Sequence, residues 1–304
     1  MKRTLTFRLG GVRTHLAGLD ESVRETLRRR FRRFLEEGAF DETPDLVISV
    51  RPAPLVRVGE RTSLAPVRPA ALPLSGAADG PRLESELQGD RILLRAPAFA
   101  GSFSLAGCEG EVLLRGSLRE PPHKSIESFL HVALAWRLLL RNALLVRGVG
   151  VLGSQGKAIV YLSADELTGE ERTRLAAGAP LLSDEYLILE RQDGTLNAHA
   201  LPASRETATL GAWPDRIPAY LEAGPTATSD DAPAAPVGRL LLQSADAPGP
   251  GPAGSAEQHT IAAILSAVPH VTSNPRGASR AITIIRGLIR NITVERAAWS
   301  SPAA

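Results

Sequence analysis

The chain has 304 residues, 43% of them hydrophobic and 22% charged, with a formal net charge of +2. That composition supplies a sizeable core and a length suited to two domains, while the near-balance of charge excludes a general pull toward nucleic acid. No apolar run approaches the roughly 20 residues of a membrane helix, and the single Cys108 excludes an intrachain disulfide and a multi-cysteine metal site.

The opening, Met1-Lys2-Arg3-Thr4-Leu5, passes straight into strand-like alternation, "TLTFRL", instead of a signal-peptide apolar stretch, so a cytoplasmic location is expected. After Asp20, "ESVRETLRRRFRRFLEEG" places Val23, Leu27, Phe31, Phe34 and Leu35 at helical spacing up to Gly38. Strands are predicted at 45–51, in a hairpin turning at Gly89-Asp90, and in a second hairpin within "GSFSLAGCEGEVLLRG", which carries Cys108 in a strand or turn. The Pro-, Ala- and Gly-rich residues 64–82 read as loop. Residues 1–118 are therefore expected to form a small α+β domain on an antiparallel sheet.

Pro121-Pro122 marks a boundary, and 119–304 forms the second expected domain. Within it Phe129, Leu130, Ala133, Leu134, Trp136 and Leu140 give one largely buried helix. Short strands follow at "ALLVRGVGVLG" and "KAIVYLS", with a hairpin at Ser154-Gln155-Gly156. Then come a helix at about 168–177 and strands in "LLSDEYLILE" and "TLNAHALP" around Gln192-Asp193-Gly194. Residues 222–236 and 245–256 read as loop, separated by the strand "VGRLLLQ". A helix at 257–268, a strand near 269–272 and a helix in "SRAITIIRGLIRNI" complete the chain.

The run from "HVALAWRLLLRNALLVRGVGVLGSQGKAIVYLS" to "LLSDEYLILE" resembles the HPr kinase/phosphorylase-like proteins, which share a phosphate-binding fold with phosphoenolpyruvate carboxykinase. The likeness is to the HPr kinase-related proteins that accompany peptide-modifying gene clusters in bacteria, and it extends over roughly 120–300, including Asn274-Pro275-Arg276. It implies an α/β architecture with a mixed-sheet HPr kinase-like core and flanking helices. It also implies a phosphate site built from Ser163, Thr168, Gly169 and Arg147, with Asp184 and Glu185 as the acidic pair and Asp184 as metal ligand.

Three departures bear on activity. A phosphate loop needs glycines whose neighbouring N–H groups point inward, a lysine for the terminal phosphates and a hydroxyl for Mg²⁺. "SADELTGEERTRL" keeps only Gly169 and the hydroxyls of Ser163 and Thr168, and the nearest lysine, Lys157, opens the preceding strand. "GSQGK" precedes that strand and is expected to be a hairpin. In addition, Asp165, Glu166, Glu170 and Glu171 fill the segment; a carboxylate about 4 Å from a phosphate charge near a protein surface costs roughly 4 kcal/mol, about a thousandfold in affinity. Finally, Arg147 stands where relatives carry His, and the acidic pair reads Asp184-Glu185 where relatives have two aspartates. Asp184 either handles metal and phosphate or hydrogen-bonds the turn.

Other chemistry finds less support. His131 lies in an apolar helix, and the histidines show no metal-ligand spacing. No Gly-x-Ser-x-Gly occurs. Arg24, Arg28 and Arg32 share a helical line, with Arg29 and Arg33 beside it, a face that is either solvated or set against phosphates. Arg276 is expected in a loop before a helix. The expected function is that of a pseudokinase acting through a protein or peptide partner, without a cofactor, as a monomer or homo-oligomer. Its alternatives are an ATP-dependent kinase using Mg-ATP, with Asp184 as base or metal ligand and Arg147 supplying positive charge, and nucleic-acid binding through the basic helix.

Overall fold

The computed structural model describes residues 4–36, 43–53, 71–72, 83–115, 121–153, 155–164, 181–183, 185–202, 234–243, 256–290 and 292–297. Two compact units comprise Met1–Arg8 with Val12–Arg137, and Leu9–Gly11 with Leu138–Ala304. The division therefore falls late in the long helix, whereas the prolines had suggested 118/119. Content is mixed α and β in both units, with two mixed sheets and flanking helices.

The first sheet contains β1 (Thr4–Leu9), β2 (Val12–Ala17), β3 (Leu46–Pro52), β4 (Ala71–Leu72), β5 (Leu83–Gln88), β6 (Arg91–Arg95), β7 (Phe99–Ser104) and β8 (Glu109–Leu114), in the order β1-β2-β3-β8-β7-β6-β5-β4. β2–β3 and β3–β8 are parallel, so the expected antiparallel sheet is corrected to a mixed one. The parallel step follows from α1 (Glu21–Arg30), which carries the chain from the end of β2 back to the start of β3. Asp20 caps α1 by accepting from Val23 N–H at 2.8 Å. The helix ends well before Gly38: a 3₁₀ turn at Arg32–Phe34 follows, and Leu35 becomes extended to bridge Phe7. Phe31 then rests against the Phe7 ring, 4.5 Å between centroids.

Helix α2 (Pro122–Leu140) lays Phe129 over Gly101 of β7, where an added Cβ would come 2.6 Å from the ring. Phe99 and Phe103, on the same face of the strand, meet that ring edge-on at 6.4 and 5.9 Å. The expected burial of this helix is seen at Phe129, Leu130, Ala133, Leu134 and Trp136, whereas Leu140, in its last turn, is 55% exposed and does not belong to the buried stripe. Arg30 pairs with Glu127 of α2, both about 10% exposed. Arg13, 3% exposed, pairs with Glu36 at 2.6 Å.

The second unit is built on β9 (Ala143–Leu152), β10 (Ala158–Leu162), β11 (Leu181–Ser183), β12 (Tyr186–Gln192), β13 (Thr195–Ala200), β14 (Ala234–Gln243) and β15 (Val294–Ala297). β9, β12, β13, β14 and β10 pair in succession, and β10 returns to pair with β9, closing a five-stranded barrel. β11 continues along β9 beyond β12, and β15 extends β14 in parallel. The β12–β13 turn reads Asp193-Gly194 with φ of 49° and 80°, the left-handed pair that a two-residue hairpin requires.

Helices α3 (Ala256–Ser266) and α4 (Pro275–Ile289) flank the barrel. Asn274 caps α4, accepting from Arg276 N–H at 2.9 Å, and the helix buries Gly277, Ala281, Ile284, Ile285 and Leu288. The strand expected near 269–272 is instead a series of turns, since His270 adopts a φ of 69°, incompatible with extended pairing.

Candidate functional site

β9 is apolar except for Arg147, and its pairing changes at that residue. Up to Arg147 the strand pairs with β12, with Tyr186 opposite Arg147; from Gly148 onward it pairs with β10, with Leu162 opposite Gly148. The Arg147 carbonyl accepts from Ser163 N–H at 3.3 Å, its N–H donates to the Ala267 carbonyl at 2.7 Å, and Gly148 N–H donates to the Glu185 carbonyl at 2.8 Å. Gly148 is required for this close approach, because an added Cβ would stand 2.2 Å from the Tyr161 carbonyl oxygen.

The Arg147 side chain is held in place by its surroundings. Nη1 donates to the Ala164 carbonyl at 2.8 Å, just past the end of β10, and the guanidinium carbon lies 5.9 Å from the centre of the Tyr186 ring. Its Nε is buried and has no hydrogen-bond partner among the described residues. Across the site, Ser183 Oγ donates to the Tyr186 carbonyl at 2.5 Å, bracing the bend between β11 and β12. Ser163 is buried and Glu185 half-buried.

The structure thus brings together Arg147, Ser163 and Glu185 of the expected site. Asp184, Thr168 and Gly169 lie outside the described residues, as do Asp165, Glu166, Glu170, Glu171 and the helix expected at about 168–177. Among the described residues no group of three His, Cys, Asp or Glu side chains is placed to hold a metal ion. The roles of Tyr186, Ser183 and the Ala164 carbonyl were missed from the sequence, because a strand-end brace leaves no spacing signal.

Other expectations also meet their geometry. "GSQGK" is a hairpin: Gly153 N–H donates to the Lys157 carbonyl at 2.9 Å, and Ala158 pairs with Leu152. Cys108 sits in the β7–β8 connection, half-buried, its carbonyl accepting from Val47 N–H at 2.6 Å. His131 is half-buried in α2, and desolvation, then the Arg30 and Lys124 charges, push its pKa down to about 4. His15, also lowered by burial and then by Arg13, lies 2.9 Å from Thr6 Oγ1. His199 lies 3.2 Å from Glu190. Arg276 falls within the first turn of α4 and is exposed.

On the basic helix, Arg24 pairs with Glu21 and Arg30 with Glu127. Arg28, Arg29, Arg32 and Arg33 are exposed and form no hydrogen bond or ion pair among the described residues. No helix among the described residues is long and apolar enough to cross a membrane. Compared with known proteins, the chain matches no family model and no curated protein.

Proposed function

We propose that the chain is a non-catalytic relative of the HPr kinase-related proteins, acting in the cytoplasm through contacts with a protein or peptide partner. One observation carries this reading. The arginine that would supply positive charge to a phosphate site donates instead to the Ala164 carbonyl and lies by the Tyr186 ring. An incoming phosphate would have to draw Arg147 off that carbonyl, and the sequence that follows Ala164 opens with two acids, Asp165 and Glu166, and no lysine. Calorimetry with Mg-ATP and Mg-GTP is expected to give no saturable heat. Micromolar binding that Arg147→Ala abolishes would overturn the reading in favour of an ATP-dependent kinase.

A second reading is favoured by a separate observation, the exposed Arg28, Arg29, Arg32 and Arg33, whose charges the described fold leaves uncompensated. Such a cluster suits phosphate backbones, with affinity falling steeply as salt rises. A salt-sensitive RNA or DNA mobility shift lost on replacing Arg28, Arg29 and Arg32 with glutamine supports it; unchanged mobility for the wild-type chain rules it out.

A further inference from the structure

We propose that the second unit carries a binding site for a small amphiphilic monocarboxylate, in the cavity between α3, α4 and the approach to β15. The cavity measures about 560 Å³, a size typical of small-molecule sites. Its lining divides by chemistry. Arg286 and Arg290 stand one turn apart on α4, Glu257 comes from the first turn of α3, and Ile289, Ile292 and Val294 supply an apolar surface.

The charged members are not used by the fold. Among the described residues none of Glu257, Arg286 and Arg290 makes a hydrogen bond or an ion pair. Arg280, on the same helix, behaves differently: it donates to the Leu139 carbonyl and, at 2.7 Å, to Asn142 Oδ1. Two guanidiniums side by side present parallel donors suited to a planar carboxylate, and the first-turn N–H groups of α3 add positive potential. Setting Glu257 against the two arginines leaves one net positive charge, which matches a monoanion. The isoleucines and valine then take an apolar tail, worth roughly 25 cal/mol for each Å² removed from water. The site is separate from the Arg147 cluster, since Glu257 is at the N-terminal end of α3 and the Ala267 carbonyl bound by Arg147 follows its other end.

Titration of the full-length chain with octanoate, followed by calorimetry, tests the proposal, with octan-1-ol and inorganic phosphate as probes lacking the acid or the tail. Saturable octanoate binding is expected, with both control probes at least about tenfold weaker. Arg286→Gln and Arg290→Gln should each weaken octanoate by about tenfold; Arg286→Lys, which keeps the charge and loses the forked donors, should weaken it less than Arg286→Gln, and Arg147→Ala should retain it. Thermal melting of each variant verifies the fold. Absence of saturable octanoate binding, octan-1-ol binding as tight as octanoate, or full binding by a doubly substituted chain whose melting is unchanged would each overturn it. Because Arg147→Ala reports on the nucleotide question and the α4 variants on this one, the two readings fail separately.

Discussion

The two units treat apolar strands in opposite ways. In the first, the strands lie side by side as an open sheet, and burial alternates along β1 and β3 because one face carries the core. In the second, five strands close on themselves, and β9 is buried at every position except Arg147. An open sheet can accept side chains along both faces. In the closed sheet the glycines of the shared strand face other strands of the barrel: a Cβ at Gly148 would strike the Tyr161 carbonyl, and one at Gly150 would come 2.6 Å from Leu187, whereas the tight glycine of the open sheet, Gly101, is crowded by the ring of a covering helix as well as by the Glu111 carbonyl.

The contrast can be tested most strongly at its glycines. Gly148→Ala is expected to cost about 3 kcal/mol, because the opposing atom belongs to the backbone and cannot rotate away. Gly110→Ala in the open sheet, where the nearest atom is the Phe103 Cβ at 3.2 Å, should cost under about 1 kcal/mol. Denaturant midpoints of the two variants measure this, and equal losses would break the comparison.

A smaller effect concerns acid sensitivity, which the first unit should show through His131. Its folded pKa of about 4 lies below the ordinary histidine value of 6.5, so on acidification the unfolded chain takes up the proton first. The stability it supports is fully present above about 6.5, drains as pH falls toward 4, and amounts to about 2 kcal/mol between pH 7 and pH 5. His131→Leu should flatten the pH dependence over that interval; an equally steep fall in the variant would assign it to other groups. Least in magnitude, Gly287→Ala is expected to stabilise the fold by roughly 0.5–1 kcal/mol, read as a higher melting temperature, since the position is helical and nothing lies within 4 Å of the new Cβ.

Where the sequence was readable, the reason was periodicity or turn chemistry. Alternation marked β1, Asp20 and its apolar spacing marked the start of α1, and Asp193-Gly194 marked a hairpin that the backbone dihedrals bear out. β2 was missed because Arg13 and Thr14 are buried within it, the arginine compensated by Glu36 from a distant part of the chain. β15 was too short to leave a pattern. Parallel pairing and ring closure were illegible because each depends on strands far apart in sequence. Arg147, Ser163 and Glu185 were singled out only through the family resemblance, and neither their backbone hydrogen bonds nor Arg147's hold on the Ala164 carbonyl could be read from the sequence. The cavity escaped notice for the same reason, since its walls come from two stretches far apart in the chain, 257–260 and 286–294.

The peptide groups of Arg147 and Gly148 are gripped by Ser163, Glu185 and Ala267 from different elements. No single strand can therefore peel away and free them. Solvent reaches those two amides only when β9 parts from the α3 terminus and from β12, so their deuterium uptake times a concerted opening of this junction while frayed ends exchange far sooner.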